Sequence, residues 1–325
     1  MTLLHVEQLC TEYPGVNGGP KVQAVSDVSF SLAAGEVLGI VGESGCGKST
    51  LARTVLRLAE PSAGRIVFDG VDITSLSRKA MIPIRKAMQV VFQDPFGALN
   101  PRHTVGKIVG EPLQVHSLGS AENQRVRVLE LLSMVGLPES AADLLPHQFS
   151  GGQRQRIAIA RALALQPRLL VADEAVSALD VSIQSQIINL ISDLQKQFGL
   201  AILFISHDLS VIRHVCSRVA VMYLGRIVET GPVGVVMNNP QHPYTRALIS
   251  AIPGWSNTTE RVVLQGELPD IANPPAGCVF NTRCPVVMPQ CQRERPELCK
   301  RQAGELFSTN ACFRYDAVPH SELRN

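Results

Sequence analysis

The sequence predicts an α/β fold in which short apolar strands alternate with amphipathic helices and end in polar loops. Three observations support this prediction. Residues 36–41 form an apolar run of strand length, which is typical of a buried parallel strand. A glycine-rich loop follows directly, and residues 51–58 carry helix formers with one apolar face. Residues 169–172 and 200–205 are further short apolar runs. Each ends in acids or a histidine, and such strand ends are where ligands meet this kind of sheet.

The glycine-rich loop fits the pattern G-x-x-x-x-G-K-[ST], which indicates a phosphate site between a strand and a helix. Glycines let successive N–H groups turn inward around phosphate oxygens, and the new helix adds the positive end of its dipole. The lysine can reach the outer phosphates, and the serine hydroxyl can bind Mg²⁺. The residues expected to bind nucleotide here are Gly42, Ser44, Gly45, Cys46, Gly47, Lys48, Ser49 and Thr50.

Composition restricts the class of protein. The chain has 325 residues, of which 45% are hydrophobic and 18% charged, and its formal net charge is +2. These values are ordinary for a globular protein, and no long basic block indicates a nucleic-acid partner. No apolar run reaches the length that a bilayer requires, and the first residues do not follow the pattern of a signal peptide. We therefore expect a cytoplasmic protein that reaches a membrane only through a partner.

Polar residues at the ends of three predicted strands are candidates for catalysis. Gln93 ends the strand of residues 88–92, where it could bind Mg²⁺ or position water, although alone it is only a polar strand end. Asp173 suits Mg²⁺ coordination, and the adjacent Glu174 could polarise a water for attack on the γ-phosphate. His207 follows the strand of residues 200–205, and we expect it to contact the γ-phosphate.

Residues 94–165 become helical and rich in loops, which predicts an inserted helical subdomain. Near its end stands the run Ser150, Gly151, Gly152 and Gln153, in which the serine can cap a helix and the glycines can form an anion site. Asp180 is a natural cap for a helix predicted over residues 181–198. Tyr13, at the edge of a proline- and glycine-rich loop, could stack on an adenine ring or be a half-buried strand residue.

The order of these motifs resembles the nucleotide-binding subunit of ABC transporters over about residues 1–235. The resemblance implies a P-loop NTPase core with an antiparallel β subdomain. It also implies an ATPase that closes as a dimer, with ATP between the glycine loop of one chain and residues 150–153 of the other. By this resemblance Tyr13 stacks on adenine, and Gln93 binds Mg²⁺ and senses the permease. Glu174 is the general base, Asp180 a contact across the dimer, and His207 the γ-phosphate switch.

One departure from that family is visible after the catalytic glutamate. The family commonly has Pro-Thr, whereas this chain has Ala175 and Val176. Because Asp173, Glu174 and Asp180 are intact, we expect hydrolysis to survive.

The segment from 236 to 325 resembles the C-terminal extension of oligopeptide and dipeptide importer ATPases. It carries Asn-Pro-Gln-His-Pro-Tyr-Thr-Arg-Ala-Leu from residue 239 and Asn-Pro-Pro-Ala-Gly-Cys from residue 273. The tail and residues 176–182 are most similar to the F-type subunit. The resemblance implies a homologous D-type ATPase as heterodimer partner, two permease subunits and an extracytoplasmic peptide-binding protein. The complex would place this chain peripherally on the cytoplasmic face of the membrane.

Five of the eight cysteines lie in this extension. Their spacing, C-x5-C-x6-C-x7-C-x12-C, contains no C-x-x-C pair and is a poor match to a zinc finger. Thiolates at irregular spacing can hold an iron–sulfur cluster, and zinc and free thiols stay open as alternatives. Some importer ATPases carry a 4Fe-4S cluster here, and their pattern aligns with Cys278, Cys284, Cys291 and Cys312, which leaves Cys299 spare.

Two other classes of protein compete with the importer. A soluble ABC ATPase that acts on DNA or ribosomes would have a basic surface, a coiled-coil insertion or tandem ATPase domains, and the sequence has none of these. A redox-responsive regulatory ATPase built around the cysteine tail would respond to oxidant while ATP turnover stays incidental.

Overall fold

The computed structural model describes residues 1–15, 19, 21–252, 264, 266–303 and 306–314. Residues 16–18 and 20 of the loop after Tyr13 therefore lie outside the described residues, as do parts of the C-terminal extension. The chain divides into two compact units. Unit 1 contains residues 1–3, 32–37 and 75–205, and unit 2 contains residues 4–31, 38–74 and 206–325.

The described strands and helices follow one another along the chain as α and β elements. The strands are β1 (Thr2–Tyr13), β2 (Val22–Ala33), β3 (Val37–Val41), β4 (Ala63–Phe68), β5 (Val71–Asp72), β6 (Met88–Val91), β7 (Leu169–Asp173), β8 (Ala201–Ser206), β9 (Arg218–Tyr223), β10 (Arg226–Pro232), β11 (Cys299–Ala303) and β12 (Leu306–Asn310). The helices are α1 (Lys48–Val55), α2 (Met81–Ala87), α3 (Pro95–Ala98), α4 (Val105–Val115), α5 (Ala121–Met134), α6 (Gly151–Leu163), α7 (Val181–Phe198), α8 (Leu209–Val215), α9 (Val233–Asn238) and α10 (Pro243–Ser250).

Unit 2 contains an antiparallel sheet and a second run of strands. The antiparallel sheet has the order β2-β1-β4-β5, with Leu4 opposite Phe68. In the second run β3 is parallel to β9. Strands β9 and β10 form an antiparallel hairpin, and β12 and β11 extend it. The C-terminal extension therefore supplies strands to the same sheet as the glycine loop.

Unit 1 contains the parallel strands β6, β7 and β8. All five residues of β7 are buried, as an apolar run covered on both faces should be. Helices α4, α5 and α6 occupy much of the predicted helical subdomain, and each begins at a hydroxyl residue that caps it: Thr104, Ser120 and Ser150. The predicted α/β fold with an antiparallel sheet is confirmed.

The predicted cap of α7 is wrong in one respect. Asp180 occupies the N-cap position, but its side chain makes no capping hydrogen bond. The helix is stabilised instead by its buried face, which includes Ile187 and Ile191, and it ends at Gly199, whose φ is 60°. None of the helices in the described part of the chain is long and apolar enough to cross a bilayer.

Candidate nucleotide-binding site

The glycine loop of unit 2 is shaped by close backbone approach at two glycines. A Cβ added at Gly42 would lie 2.1 Å from the carbonyl oxygen of Met222. A Cβ added at Gly47, whose φ is 103°, would lie 2.2 Å from the carbonyl oxygen of Ala24. Gly45 has a φ of 80°, in the left-handed region. Only glycine fits these positions, so the sequence pattern reflects a packed loop in front of α1.

Lys48 is folded onto the first half of its own loop. Its side chain is buried, and Nζ donates to the carbonyl oxygens of Gly42 at 2.8 Å and Glu43 at 2.9 Å. Cys46 is fully buried, and burial raises the pKa of its thiol. The thiol therefore acts as an apolar filler, while Ser44 and Gly45 on the same loop are exposed.

Two other predicted residues belong to unit 2. Tyr13 is the last residue of β1 and is 38% exposed, so its ring is accessible to a ligand. His207 directly follows β8 and is exposed. Asp208 then caps α8, because its carboxylate accepts a hydrogen bond from the Ser210 amide at 2.7 Å.

Unit 1 carries the predicted acids at the carboxyl ends of its parallel strands. Asp173 is the last residue of β7 and is 5% exposed. Glu174 has a φ of 48°, and its N–H donates to the carbonyl oxygen of Ile205 at 3.0 Å. Since Val91 of β6 is paired with Ala172 of β7, Gln93, Asp173 and Glu174 stand at one edge of this sheet. Gln93 is exposed.

The serine–glycine run at the start of α6 is held by two reciprocal hydrogen bonds. The Ser150 hydroxyl accepts from the Gln153 amide at 3.4 Å, and the Gln153 side chain accepts from the Ser150 amide at 3.0 Å. This capping box fixes the first turn. A Cβ added at Gly152 would lie 2.4 Å from Cγ2 of Ile183 on α7. The glycine at 152 thus lets α6 and α7 pack closely, while Ser150 remains exposed.

The four predicted cluster cysteines line one small cavity in unit 2. Cys278, Cys284, Cys291 and Cys312 share it with Phe280 and His242. Burial raises the pKa of the Cys278 thiol to about 11 and also raises the pKa of Cys284. Within the part of the chain that the structure describes, no three His, Cys, Asp or Glu side chains form a ready metal site. Among the described residues the four cysteines thus share one cavity without forming a ready metal site, and the iron–sulfur cluster stays a prediction.

Sequence reasoning missed several polar residues that connect the C-terminal extension to β10 and to the glycine loop. The fully buried Glu229 on β10 accepts hydrogen bonds from the amides of Gln241 at 2.8 Å and His242 at 2.9 Å. Nδ1 of His242 accepts from the Tyr244 amide at 3.1 Å, and burial lowers the pKa of this histidine to about 3. Arg283 forms an ion pair with Glu43 of the glycine loop. The Asn-Pro-Gln-His-Pro-Tyr run was the sequence signal for this region. The residues that it contacts could not be read from it, because Glu229 lies 12 positions from Gln241 and Glu43 lies 201 positions from Tyr244.

The fold and the site define a class of protein. A buried parallel strand, a loop closed by glycines that no other residue can replace, and a helix that starts on the loop lysine form an anion cradle. This arrangement is that of a P-loop nucleotide-binding protein.

Comparison with known proteins gives the family. A profile described as "ABC transporter" matches residues 25–177, and one described as "Oligopeptide/dipeptide transporter, C-terminal region" matches residues 228–291. The chain is 56% identical over 299 residues to the oligopeptide transport ATP-binding protein AppF of Bacillus subtilis (strain 168), covering 90% of each chain. It is 49% identical over 314 residues to a putative peptide import ATP-binding protein of Brucella ovis, covering 96% of this chain and 98% of the relative.

Solved structures agree with this assignment. The ATP-binding cassette MJ0796, described as a dimer in a post-hydrolysis state bound to ADP and Pi, is 31% identical. It superposes with a TM-score of 0.65 over 71% of this chain and 99% of that one. CbiO1 from Clostridium perfringens, described as part of the ABC transporter complex cbiONQ, has 33% identity and a TM-score of 0.64 over 73% of this chain and 91% of that one. The chain belongs to the family of ABC transporter ATP-binding proteins.

Proposed function

We propose that this chain is the ATP-hydrolysing subunit of an ABC importer for di- and oligopeptides or related solutes, peripheral at the cytoplasmic face of the membrane. The observation that carries the proposal is that two profiles match this one chain. One is the ABC transporter profile, which includes the packed glycine loop, and the other is the C-terminal region of oligopeptide/dipeptide transporters. In this proposal residues 1–235 are the nucleotide-binding domain, and residues 236–325 are the importer-type extension with a cysteine cluster.

The proposed nucleotide chemistry divides among few residues. The loop from Gly42 to Thr50 binds the phosphates, and Tyr13 stacks on adenine. Ser49, Gln93 and Asp173 hold Mg²⁺, which neutralises phosphate charge when bound. Glu174 accepts the proton of the attacking water, and His207 contacts the γ-phosphate. The accessible Tyr13 ring and the shared strand-end edge of Gln93, Asp173 and Glu174 support these roles.

The proposed dimer uses the start of α6. Residues 150–153 of one chain close over the ATP on the glycine loop of its partner, and Asp180 adds a contact across the dimer. The capping box leaves Ser150 exposed at a rigid first turn, as a ligand-facing helix start requires. A homologous D-type ATPase is the proposed partner. The solved structure of the cassette MJ0796, which is 31% identical, is described as dimeric, and this supports pairing of two cassettes.

The proposed permease contact lies on the helical subdomain. A cavity of about 270 Å³ between α4 and α5 is lined by Gly106, Gly110 and Val128, with Lys107 and Arg125 at its polar side. Gly106 and Gly110 let Ala142 and Val128 approach the α4 backbone closely, and we place the docking site for a short helix of a permease subunit at this cavity. Two permease subunits and an extracytoplasmic solute-binding protein complete the proposed importer.

The proposed cluster site would hold a 4Fe-4S group through Cys278, Cys284, Cys291 and Cys312, with a structural role. Four thiols on one cavity supply the number of ligands such a cluster needs. Protein purified without oxygen should contain iron and sulfide, and Cys284→Ser should lower both together with the visible absorption. Cys299→Ser is the matched control and should leave both unchanged. Iron-free wild-type protein, purified in the same way, would contradict the assignment.

The test of the function uses purified chain with and without its copurified membrane partners. We expect Glu174→Gln to bind MgATP as tightly as the wild type while turnover at its own site falls roughly 10²–10⁴-fold, the usual contribution of a general base. Glu139→Gln, which changes an exposed acid of the same unit, is the control. Undiminished turnover in the Glu174 variant would remove that residue from the mechanism. Turnover that the permease and its binding protein never alter would argue against transport.

A further inference from the structure

The second residue of the glycine loop is held by the C-terminal extension. Nη1 of Arg283 donates to Oε2 of Glu43 at 2.6 Å, and Nη2 donates to Oε1 at 3.1 Å. The side chain of Arg283 is 8% exposed and that of Glu43 is 28% exposed. Two parallel bonds of this kind fix orientation as well as distance. The pair links residues 240 positions apart within unit 2.

A tyrosine of the same extension holds the backbone of this loop residue. The N–H of Glu43 donates to the hydroxyl of Tyr244 at 2.9 Å. Tyr244 is fully buried and packs edge-on against Tyr223, with ring centroids 4.6 Å apart, and lies 5.5 Å from the ring of Phe280. The hydroxyl therefore stands on a rigid aromatic cluster, and the loop cannot shift without losing this bond.

The loop lysine completes the set of bonds to Glu43. Lys48 donates to its carbonyl oxygen at 2.9 Å. On the proposed function this lysine turns toward the outer phosphates when nucleotide binds. The N–H and the carboxylate of Glu43 then keep their partners Tyr244 and Arg283 in the C-terminal extension.

Charge makes the ion pair relevant to binding. Glu43 places a carboxylate on a loop that receives a triphosphate, and like charges within several ångströms repel each other appreciably outside bulk water. Arg283 cancels this charge and at the same time holds the side chain in place. Without Arg283 the carboxylate would oppose the nucleotide, and the opposition would grow with the number of phosphate charges.

We propose that Arg283 is a positioning residue for the phosphate-binding loop, which neutralises and orients Glu43 with the help of Tyr244, so that the C-terminal extension sets the affinity for nucleotide. This proposal rests on the proposed function, because it takes the glycine loop as the ATP site. In this proposal Arg283 acts on the nucleotide through Glu43.

The test measures dissociation constants of the full chain for MgATP and MgADP, with a fluorescent nucleotide as the probe. Arg283→Gln should weaken MgATP binding about tenfold, a moderate coupling between sites, and MgADP binding by less. The double variant Glu43→Gln with Arg283→Gln should recover most of the affinity, because the repelling charge is gone. Arg283→Lys should fall between, since it keeps the charge but loses the paired geometry. The KM for ATP should rise while kcat changes little.

Two further variants keep the test decisive. Arg293→Gln removes an exposed arginine of the same extension and should change neither constant. Glu43→Gln alone leaves the loop more positive and should bind MgATP at least as tightly as the wild type, even if Arg283→Gln fails to fold. An Arg283→Gln variant with wild-type affinity, a double variant as weak as the single one, or weakened binding in Glu43→Gln would overturn the inference. A wild-type chain that binds no MgATP would overturn the proposed function itself. The results named above, seen in a chain that does bind MgATP, would overturn only the inference about Arg283.

Discussion

The buried Glu229 gives a prediction about how stability depends on pH. Its carboxylate is fully buried on β10, with the amides of Gln241 and His242 donating to its two oxygens. Burial raises the pKa of this carboxyl from 4.5 to about 7, despite the opposing backbone hydrogen bonds of Gln241 and His242 and the positive charge of Arg246. His242 beside it is neutral, because burial lowers its pKa to about 3.

The sign follows from proton binding. Between pH 4.5 and pH 7 the folded protein keeps a proton that the unfolded chain has released, so the free energy of unfolding falls as pH rises through this range. The difference between the two pKa values, at about 1.4 kcal/mol for each pH unit, gives a loss of about 3 kcal/mol that is complete above pH 7. In Glu229→Gln nothing titrates, and the amide NH₂ faces one backbone N–H, so one donor is left unsatisfied at a cost of about 1–3 kcal/mol.

Urea unfolding followed by circular dichroism at pH 5 and pH 8, at constant ionic strength, checks this. Glu229→Gln should be less stable than the wild type at pH 5 by about 1–3 kcal/mol. That difference should shrink by about 2.5 kcal/mol, and come close to zero or change sign, at pH 8. Glu60→Gln, at an exposed acid of the same unit, should show no such change. A stability difference for Glu229→Gln that is the same at both pH values would refute the reasoning.

Three further predictions concern unit 2. Gly42→Ala places a Cβ 2.1 Å from a carbonyl oxygen and should cost about 1–3 kcal/mol of stability and abolish MgATP binding by titration calorimetry. Gly234→Ala, in a helix with no atom within 4 Å, should bind normally, and equal affinities would contradict the account of the loop. Phe280→Ala should cost about 3–5 kcal/mol in urea unfolding, because the ring is 1% exposed, whereas the exposed Val287→Ala should cost less than about 0.5 kcal/mol; similar losses would argue against the aromatic cluster. In metal-free protein the exposed Cys299 should react with iodoacetamide faster than the buried Cys278, whose thiol pKa is raised to about 11. Mass spectrometry of the labelled peptides measures the two rates, and equal labelling of both cysteines would count against the burial of Cys278.

Local patterns predicted the parts of the fold that local chemistry decides. The apolar run before the glycine loop is β3, and the loop lysine begins α1. Residues 181–198 form α7 over the predicted range, because its apolar residues recur at helical spacing. Ser150 caps α6 as expected, since a serine followed three residues later by glutamine can form a capping box.

Long-range pairs could not be predicted from sequence. No sequence pattern near Glu43 predicts its ion pair with Arg283, because the pair depends on how β9, α10 and residues 278–284 pack against one another. The same holds for Glu229. The residues around it on β10 are mostly apolar, and their pattern does not predict that two backbone amides will donate to its carboxylate. Asp180 shows the converse, because a residue type suited to a cap occupies the position without making the bond.

The return of the chain to β10 has a practical consequence for minimal versions of this protein. Glu229 is paired with Asn310 of β12, and the amide of Ala311 donates to the carbonyl oxygen of Val228 at 2.9 Å. A stop codon placed after the hairpin would remove β12 and leave backbone amides and carbonyls of β10 unpaired. Exposed strand edges of this kind can pair with those of other molecules. A shortened cassette should therefore precipitate as strand-linked aggregates rather than serve as a smaller working ATPase.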